Sequence, residues 1–432
     1  MGKGSVCAAL EAAYERAARH EARHAFIALM QDSARAEAAA ADGRRKAGVS
    51  LGPLDGVLVS IKDLYDVAGM VTTAGSTLLA DAAPARADAP VIARLRRAGA
   101  VLIGRTNMTE FAYSGLGLNP HYGTPGSGPG QKHVPGGSTA GGAVSVGQGI
   151  VPLTLGSDTG GSTRIPAAFN GIVGFKPTSP RVPTEGAFPL SYTLDSVGPM
   201  GRSVVECADM DAVLAGIEPT PLPTASLTGL RVGVPRGWLF SEMEPAVERA
   251  VEAAIDRLAK AGASIIEARF DDLFAAMREA NALAPIGACE AAAIHAGALK
   301  DRRDRFDPRV RIRIEGGEHV PAAAYIRALR RREALKPHFA ARMADFDVLA
   351  LPTSVIRAPL IAPLEADDAL YLTTNMMVLR NTNPFNFYDC PALTLPLPVD
   401  DGLPIGLMLT GAPFGDRRLL SVGAAVERLL AT

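Results

Sequence analysis

The sequence predicts an α/β protein: a central sheet covered by helices. Short apolar runs of strand length alternate with Ala- and Leu-rich helical stretches, Gly and Pro punctuate the joins, and the runs read as continuous apolar blocks, as expected of strands buried on both faces.

Residues 6–47, rich in Ala, Glu and Arg, read as two helices that end before Gly52-Pro53. Val57-Leu-Val-Ser-Ile61 reads as a buried strand with Lys62-Asp63 at its end. Residues 89–98 form a helical pattern stopped by Gly99, and Ala100-Val-Leu-Ile103 is the next strand. This strand–helix–strand order predicts a largely parallel sheet. Residues 115–142 are rich in Gly and Pro, and a loop of that length inside a domain is usually functional. A buried helix is expected over 143–147, then a strand, Val151-Pro-Leu-Thr-Leu155. Beyond a Pro/Thr-rich connector at 217–228 come a strand at 230–234, a helix at 245–261, a mainly helical stretch at 272–345, strands at 347–351, 392–395 and 405–409, and a closing helix at 417–430. The expectation is one domain over 1–432. It has a core at about 50–210 and a helical insertion at about 240–345, and residues 346–432 rejoin the core.

The charge balance of 44 Lys plus Arg against 45 Asp plus Glu gives a net −1, which supports neither a nucleic-acid nor an anionic-membrane partner. The basic run ending at Arg332 has helical spacing and reads as a solvated face. Cys7, Cys207, Cys289 and Cys390 are far apart, so neither a disulfide framework nor a metal site is expected. No signal-peptide pattern opens the chain, and no apolar run reaches the roughly 18 residues of a membrane span. The expectation is a cytoplasmic protein that needs no cofactor. A homodimer is expected only because such assemblies are common.

Two glycine-rich segments each carry a serine, Gly136-Gly137-Ser138 and Gly160-Gly161-Ser162. Glycines can turn successive N–H groups toward one point, which suits the oxyanion formed when a carbonyl is attacked. The amides of Thr159, Gly160, Gly161 and Ser162 are the candidates, with Ser162 supplying the attacking oxygen. A serine needs a base. His20, His24, His295, His319 and His338 fall in helical stretches or their connections, and only His121 and His133 lie near a candidate serine in sequence. Lys62 fits better: burial at a strand end disfavours its ammonium form, and the neutral amine can accept a proton directly or through Ser138. Taken singly, a Lys-Asp pair is most often a solvated strand end and a Gly-Gly-Ser a flexible turn. Neither serine sits in GxSxG, and neither loop fits GxxxxGK[ST].

Taken together these segments resemble the amidase signature family from about Leu54 to Gly411. Leu54-Asp-Gly-Val-Leu-Val-Ser-Ile-Lys-Asp63 is similar to its lysine segment, and Pro135-Gly-Gly-Ser-Thr-Ala-Gly-Gly142 to its first serine loop. Gly156-Ser-Asp-Thr-Gly-Gly-Ser-Thr-Arg-Ile-Pro-Ala-Ala168 is similar to its nucleophile loop. Gly171-Ile-Val-Gly-Phe-Lys-Pro-Thr178, Leu194-Asp-Ser-Val-Gly-Pro199 and Leu403-Pro-Ile-Gly-Leu407 follow in family order. The resemblance implies a mixed central sheet flanked by helices on both faces. It implies Lys62 as base, Ser138 as the bridging serine on a cis peptide after Gly137, Ser162 as nucleophile, and Asp158 and Arg164 as braces. Ala140 stands where the family has a glycine, and Ser127-Gly128 where it commonly has Asn-Pro. The function expected is hydrolysis of an amide-type C–N bond in a small molecule through a Ser162 acyl-enzyme. The candidate substrates are aliphatic amides, aryl amides, carbamates and ureido acids. The rivals are the glutamine-hydrolysing A subunit of a tRNA-dependent amidotransferase and a catalytically silent binding protein. Tyr113, Phe188 and Tyr192 are candidates for an apolar substrate pocket, with core packing an equal reading for each.

Overall fold

The computed structural model describes residues 4–399 and 402–431. Among them, eleven strands form one sheet. They are β1 Phe26–Leu29, β2 Leu58–Lys62, β3 Val101–Thr106, β4 Leu153–Asp158, β5 Val173–Lys176, β6 Ser196–Gly201, β7 Arg231–Val234, β8 Ser264–Glu267, β9 Val348–Pro352, β10 Ala392–Leu397 and β11 Ile405–Thr410. Their spatial order is β1-β3-β2-β4-β6-β5-β10-β11-β9-β7-β8. Sequentially late strands therefore lie beside β5, within the sheet that the early strands begin.

The sheet is mixed. β2 pairs in parallel with β3 and β4, and β7 with β8 and β9, while the pairs around β6, β5, β10 and β11 are antiparallel. This corrects the largely parallel sheet read from the strand–helix–strand order. The segment between β10 and β11 is too short for the crossover that a parallel pair requires, so the two form a hairpin. The first helical stretch is also interrupted. The helix Val6–Ala17 ends early, His24 takes a positive φ of 63°, and β1 pairs at the sheet edge with β3.

Helices cover both faces. Leu58, Val101 and Ile103 pack with Ala143 and Val146 of the helix Ala140–Gly147. The alternate residues Val59, Ile61 and Leu102 pack with Val91, Leu95, Val204 and Leu419 on the opposite side. The helices Asp271–Leu283 and Ala322–Met343 bury Leu273, Phe274, Met277 and Phe339 against Leu349 and Leu351 of β9. Residues 271–301 are apolar enough on average to suggest a membrane span. The stretch is nevertheless two helices, because Ala284, held extended before Pro285, breaks it.

Candidate active site

Period-two alternation on β2 sends Leu58, Ser60 and Lys62 to one face. The Ser60 hydroxyl lies 2.8 Å from that of Ser145 in the covering helix, so Lys62, one step further on, reaches the segment that leads into that helix. Its Nζ lies 2.7 Å from Ser138 Oγ and 2.9 Å from Ser157 Oγ. Lys62 and Ser138 have no exposed surface. Burial pushes the Lys62 ammonium down to about 7, against the pull of the Asp158 and Asp195 carboxylates. Ser157 escaped the sequence reading. The only signal for it is that β2 and β4 are parallel neighbours, with Ile61 opposite Leu155, and that pairing is visible only in the fold.

The Gly137–Ser138 peptide is cis. A Cβ at Gly137 would meet Ser114 O at 2.6 Å and Gly117 N at 2.7 Å, so only glycine fits there. Ala140, by contrast, opens a helix and does not take a positive φ, so the alanine in place of a glycine is accommodated without strain. The first serine loop is tied to the second through the backbone, Thr139 N–H donating to Ser162 C=O at 3.3 Å. Ser162 is 4% exposed. Among the described residues no hydrogen bond joins the hydroxyls of Ser138 and Ser162, a contact of the kind that commonly tightens only when substrate is bound.

Asp158 organises the turn that carries Ser162. Its carboxylate accepts from Gly161 N at 2.8 Å, Thr163 N at 3.1 Å, Arg164 Nε at 3.0 Å and Nη2 at 2.9 Å, and Asn386 Nδ2 at 2.9 Å. Burial alone would raise this carboxyl, but the Arg164 guanidinium overrides it and holds it far below the usual range. Arg164 is fully buried and donates as well to Thr382 O at 3.0 Å. Gly161 has φ +140°, and a Cβ there would run into Thr382 Oγ1. The Gly161 amide is thus already given to Asp158. The amides of Thr159, Gly160 and Ser162 have no acceptor among the described residues, so they are able to donate to a ligand oxygen.

A cavity of about 460 Å³ opens on Ser162, lined also by Thr159, Gly160, Tyr113, Arg313 and Asn383. Phe188 and Tyr192 lie elsewhere, in the wall of a second cavity of about 420 Å³ with Ser157 and Asp195. The Phe188 ring packs at a tilt against those of Phe111 and His295, and Tyr192 is 76% exposed. Thr159 lines both cavities, and its hydroxyl donates to Asp195. Burial pushes the Asp195 carboxyl up to about 6 despite that hydroxyl and the Ser191 and Leu190 amides. Among the described residues no histidine lines the Ser162 cavity; His121 instead sits 2.7 Å from Glu110. No cluster of His, Cys, Asp or Glu among them is placed to hold a metal.

Comparison with known proteins places the chain among enzymes of one family. The 2-amino-5-chloromuconic acid deaminase of Comamonas testosteroni is 39% identical over 92% of this chain and 86% of its own length. The A subunit of the glutamyl-tRNA(Gln) amidotransferase of Chloroflexus aurantiacus is 38% identical over 94% of this chain and 89% of its own. A solved amidase crystal structure superposes with a TM-score of 0.89 at 34% identity, covering 99% of this chain and 97% of that one. The family model described as Amidase matches residues 8–420, and the chain belongs to the amidase family.

Proposed function

We propose that the protein hydrolyses a C–N amide bond of a small molecule, with Ser162 as nucleophile, Ser138 as relay and Lys62 as base. The observation that carries this reading is the buried Lys62 amine, 2.7 Å from the Ser138 hydroxyl and depressed to about 7. A neutral amine there draws the Ser138 proton as Ser138 takes the proton of Ser162. The Ser162 oxygen forms the ester bond, and the carbonyl oxygen gathers charge beside the free amides of Thr159, Gly160 and Ser162. The same relay returns a proton to the leaving nitrogen as the C–N bond breaks. Water, giving its proton along the same path, then splits the ester to the acid and restores Ser162. Asp158 and Arg164 hold the turn and do not touch the reacting atoms.

A second reading, the glutamine-hydrolysing A subunit, is supported by the 38% identity to the Chloroflexus protein. It requires partner subunits, and the isolated chain would then turn over simple amides poorly. The cysteines are all unpaired, which supports a reducing, cytoplasmic setting. A fluorophosphonate labels activated serines. We expect one label on the wild-type chain, at Ser162, and none at that site on a folded Ser162→Ala variant. Undiminished labelling of the variant refutes the assignment.

A further inference from the structure

We infer that the Ser162 cavity selects an amide carrying one anionic group and no cationic one, the monoamide of a small dicarboxylic acid being the fitting class. This rests on the amidase reading above and deepens it.

Arg313 is the one charged side chain in that wall among the described residues; no Asp, Glu, Lys or His joins it. The other arginines of the helix Pro308–Glu315 have carboxylate partners: Arg309 meets Asp368 at 2.8 Å, and Arg311 meets Glu315 at 3.4 Å. No carboxylate among the described residues pairs with Arg313. Its Nη1 donates to the Tyr113 carbonyl, and its guanidinium lies 4.2 Å from the centre of the Tyr113 ring. That stacking fixes the fork at the cavity wall and leaves N–H groups for a ligand. A fixed, unneutralised guanidinium favours a carboxylate, which it can take with two parallel hydrogen bonds.

The same wall disfavours an ammonium. Such a group would lose water, face Arg313 and find no counter-charge. Of the aromatic rings in that wall, Tyr113 already carries Arg313, and Phe387 has the Arg332 guanidinium 5.9 Å from its centre. Asn383 adds a neutral polar contact near the scissile bond. Its Oδ1 stands against Gly160, where a Cβ would collide with it, and among the described residues its side-chain amide has no partner. Leu190, Leu194, Ile286 and Leu379 leave room for methylenes between the two ends. A free amino acid amide such as glutamine carries both charges and fits worse than the same molecule without its amino group.

The test compares glutaramate, L-glutamine and pentanamide on the wild-type chain, three primary amides of similar length that differ in charge. Glutaramate is expected to exceed L-glutamine in kcat/KM by about 100-fold, the scale on which a site rejects a group that it cannot pair. In Arg313→Gln the glutaramate-to-pentanamide ratio should fall by a similar factor, chiefly through KM, with Arg313→Lys recovering part of it. A measurement free of variants gives the same contrast: glutarate should slow fluorophosphonate labelling of the wild-type chain, and pentane-1,5-diamine should not. Equal turnover of L-glutamine and glutaramate, or a ratio unmoved by Arg313→Gln, overturns the inference while leaving the amidase reading intact. Absence of both labelling and turnover with all three amides instead removes the reading on which it rests.

Discussion

Lys62 at the end of β2 and Lys176 at the end of β5 are both fully buried, and burial lowers both ammonium groups, to about 7 and about 8. Their partners differ. Lys62 faces two hydroxyls, Ser138 and Ser157, each able to donate as well as accept. Lys176 donates to the Pro177 carbonyl at 2.8 Å, an oxygen that can only accept, in the neighbourhood of Arg164 and Asp158. Desolvation by itself makes an amine easier to deprotonate. It becomes a working base only where the next atom can pass it a proton and a reacting group stands beyond. The amidase fold thus holds a catalytic candidate and an internal control of almost the same electrostatics.

The largest expected effect breaks the pair apart. Lys62→Ala should lower kcat/KM by about 10⁴-fold or more, as losing one member of a nucleophile–base set does, with the thermal transition retained. Lys176→Met, which keeps the length and removes the amine, should change kcat/KM by less than about 10-fold and act mainly on Tm. If the second variant is folded and as inactive as the first, the distinction between the lysines fails. The next effect separates the two hydroxyls on Lys62. Ser138→Ala should cost about 10²–10⁴-fold, the usual worth of a positioned proton relay. Ser157→Ala should cost no more than about 10-fold, because it orients Nζ without lying on the path to Ser162. The smallest effect sharpens the electrostatics. Kinetics should lose activity as pH falls through about 7, where Lys62 takes up a proton and stops being a base. Asp195 pulls that value upward, so Asp195→Asn should move the acid limb to lower pH, by less than about one unit given the hydrogen bonds it also breaks at Thr159. An upward movement would contradict the assigned role.

Lys62, Ser138 and Ser162 were legible because each lies in a short segment whose glycines and strand pattern carry local information. Gly137 and Gly161 are needed for backbone crowding that a sequence can signal, and the β2 alternation that aims Lys62 is written in five residues. What stayed hidden depends on chain segments far apart. Ser157 meets Lys62 only because β4 lies parallel to β2. Arg164 is anchored by Thr382 and Asn386, more than two hundred positions away. Arg313 sits in a helical stretch dense with arginines, and its unpaired state is a property of what its neighbours bind. Phe188 and Tyr192 stood as pocket candidates on aromatic character, with core packing an equal reading, and a sequence does not say which wall an aromatic side chain joins. The loop that carries them lines the cavity on the other side of Thr159, with Asp195 fixing it by accepting from the Leu190 and Ser191 amides at 3.0 and 3.1 Å.

The most direct test of the lysine base needs no substrate. The second-order rate of fluorophosphonate reaction at Ser162, followed from acidic to alkaline pH, reports how readily that hydroxyl gives up its proton. We expect the rate to rise as one proton is lost with a midpoint near 7, and that rise to vanish in folded Lys62→Ala. A pH-independent rate, or an unchanged midpoint in the variant, would show that the Lys62 amine does not activate Ser162.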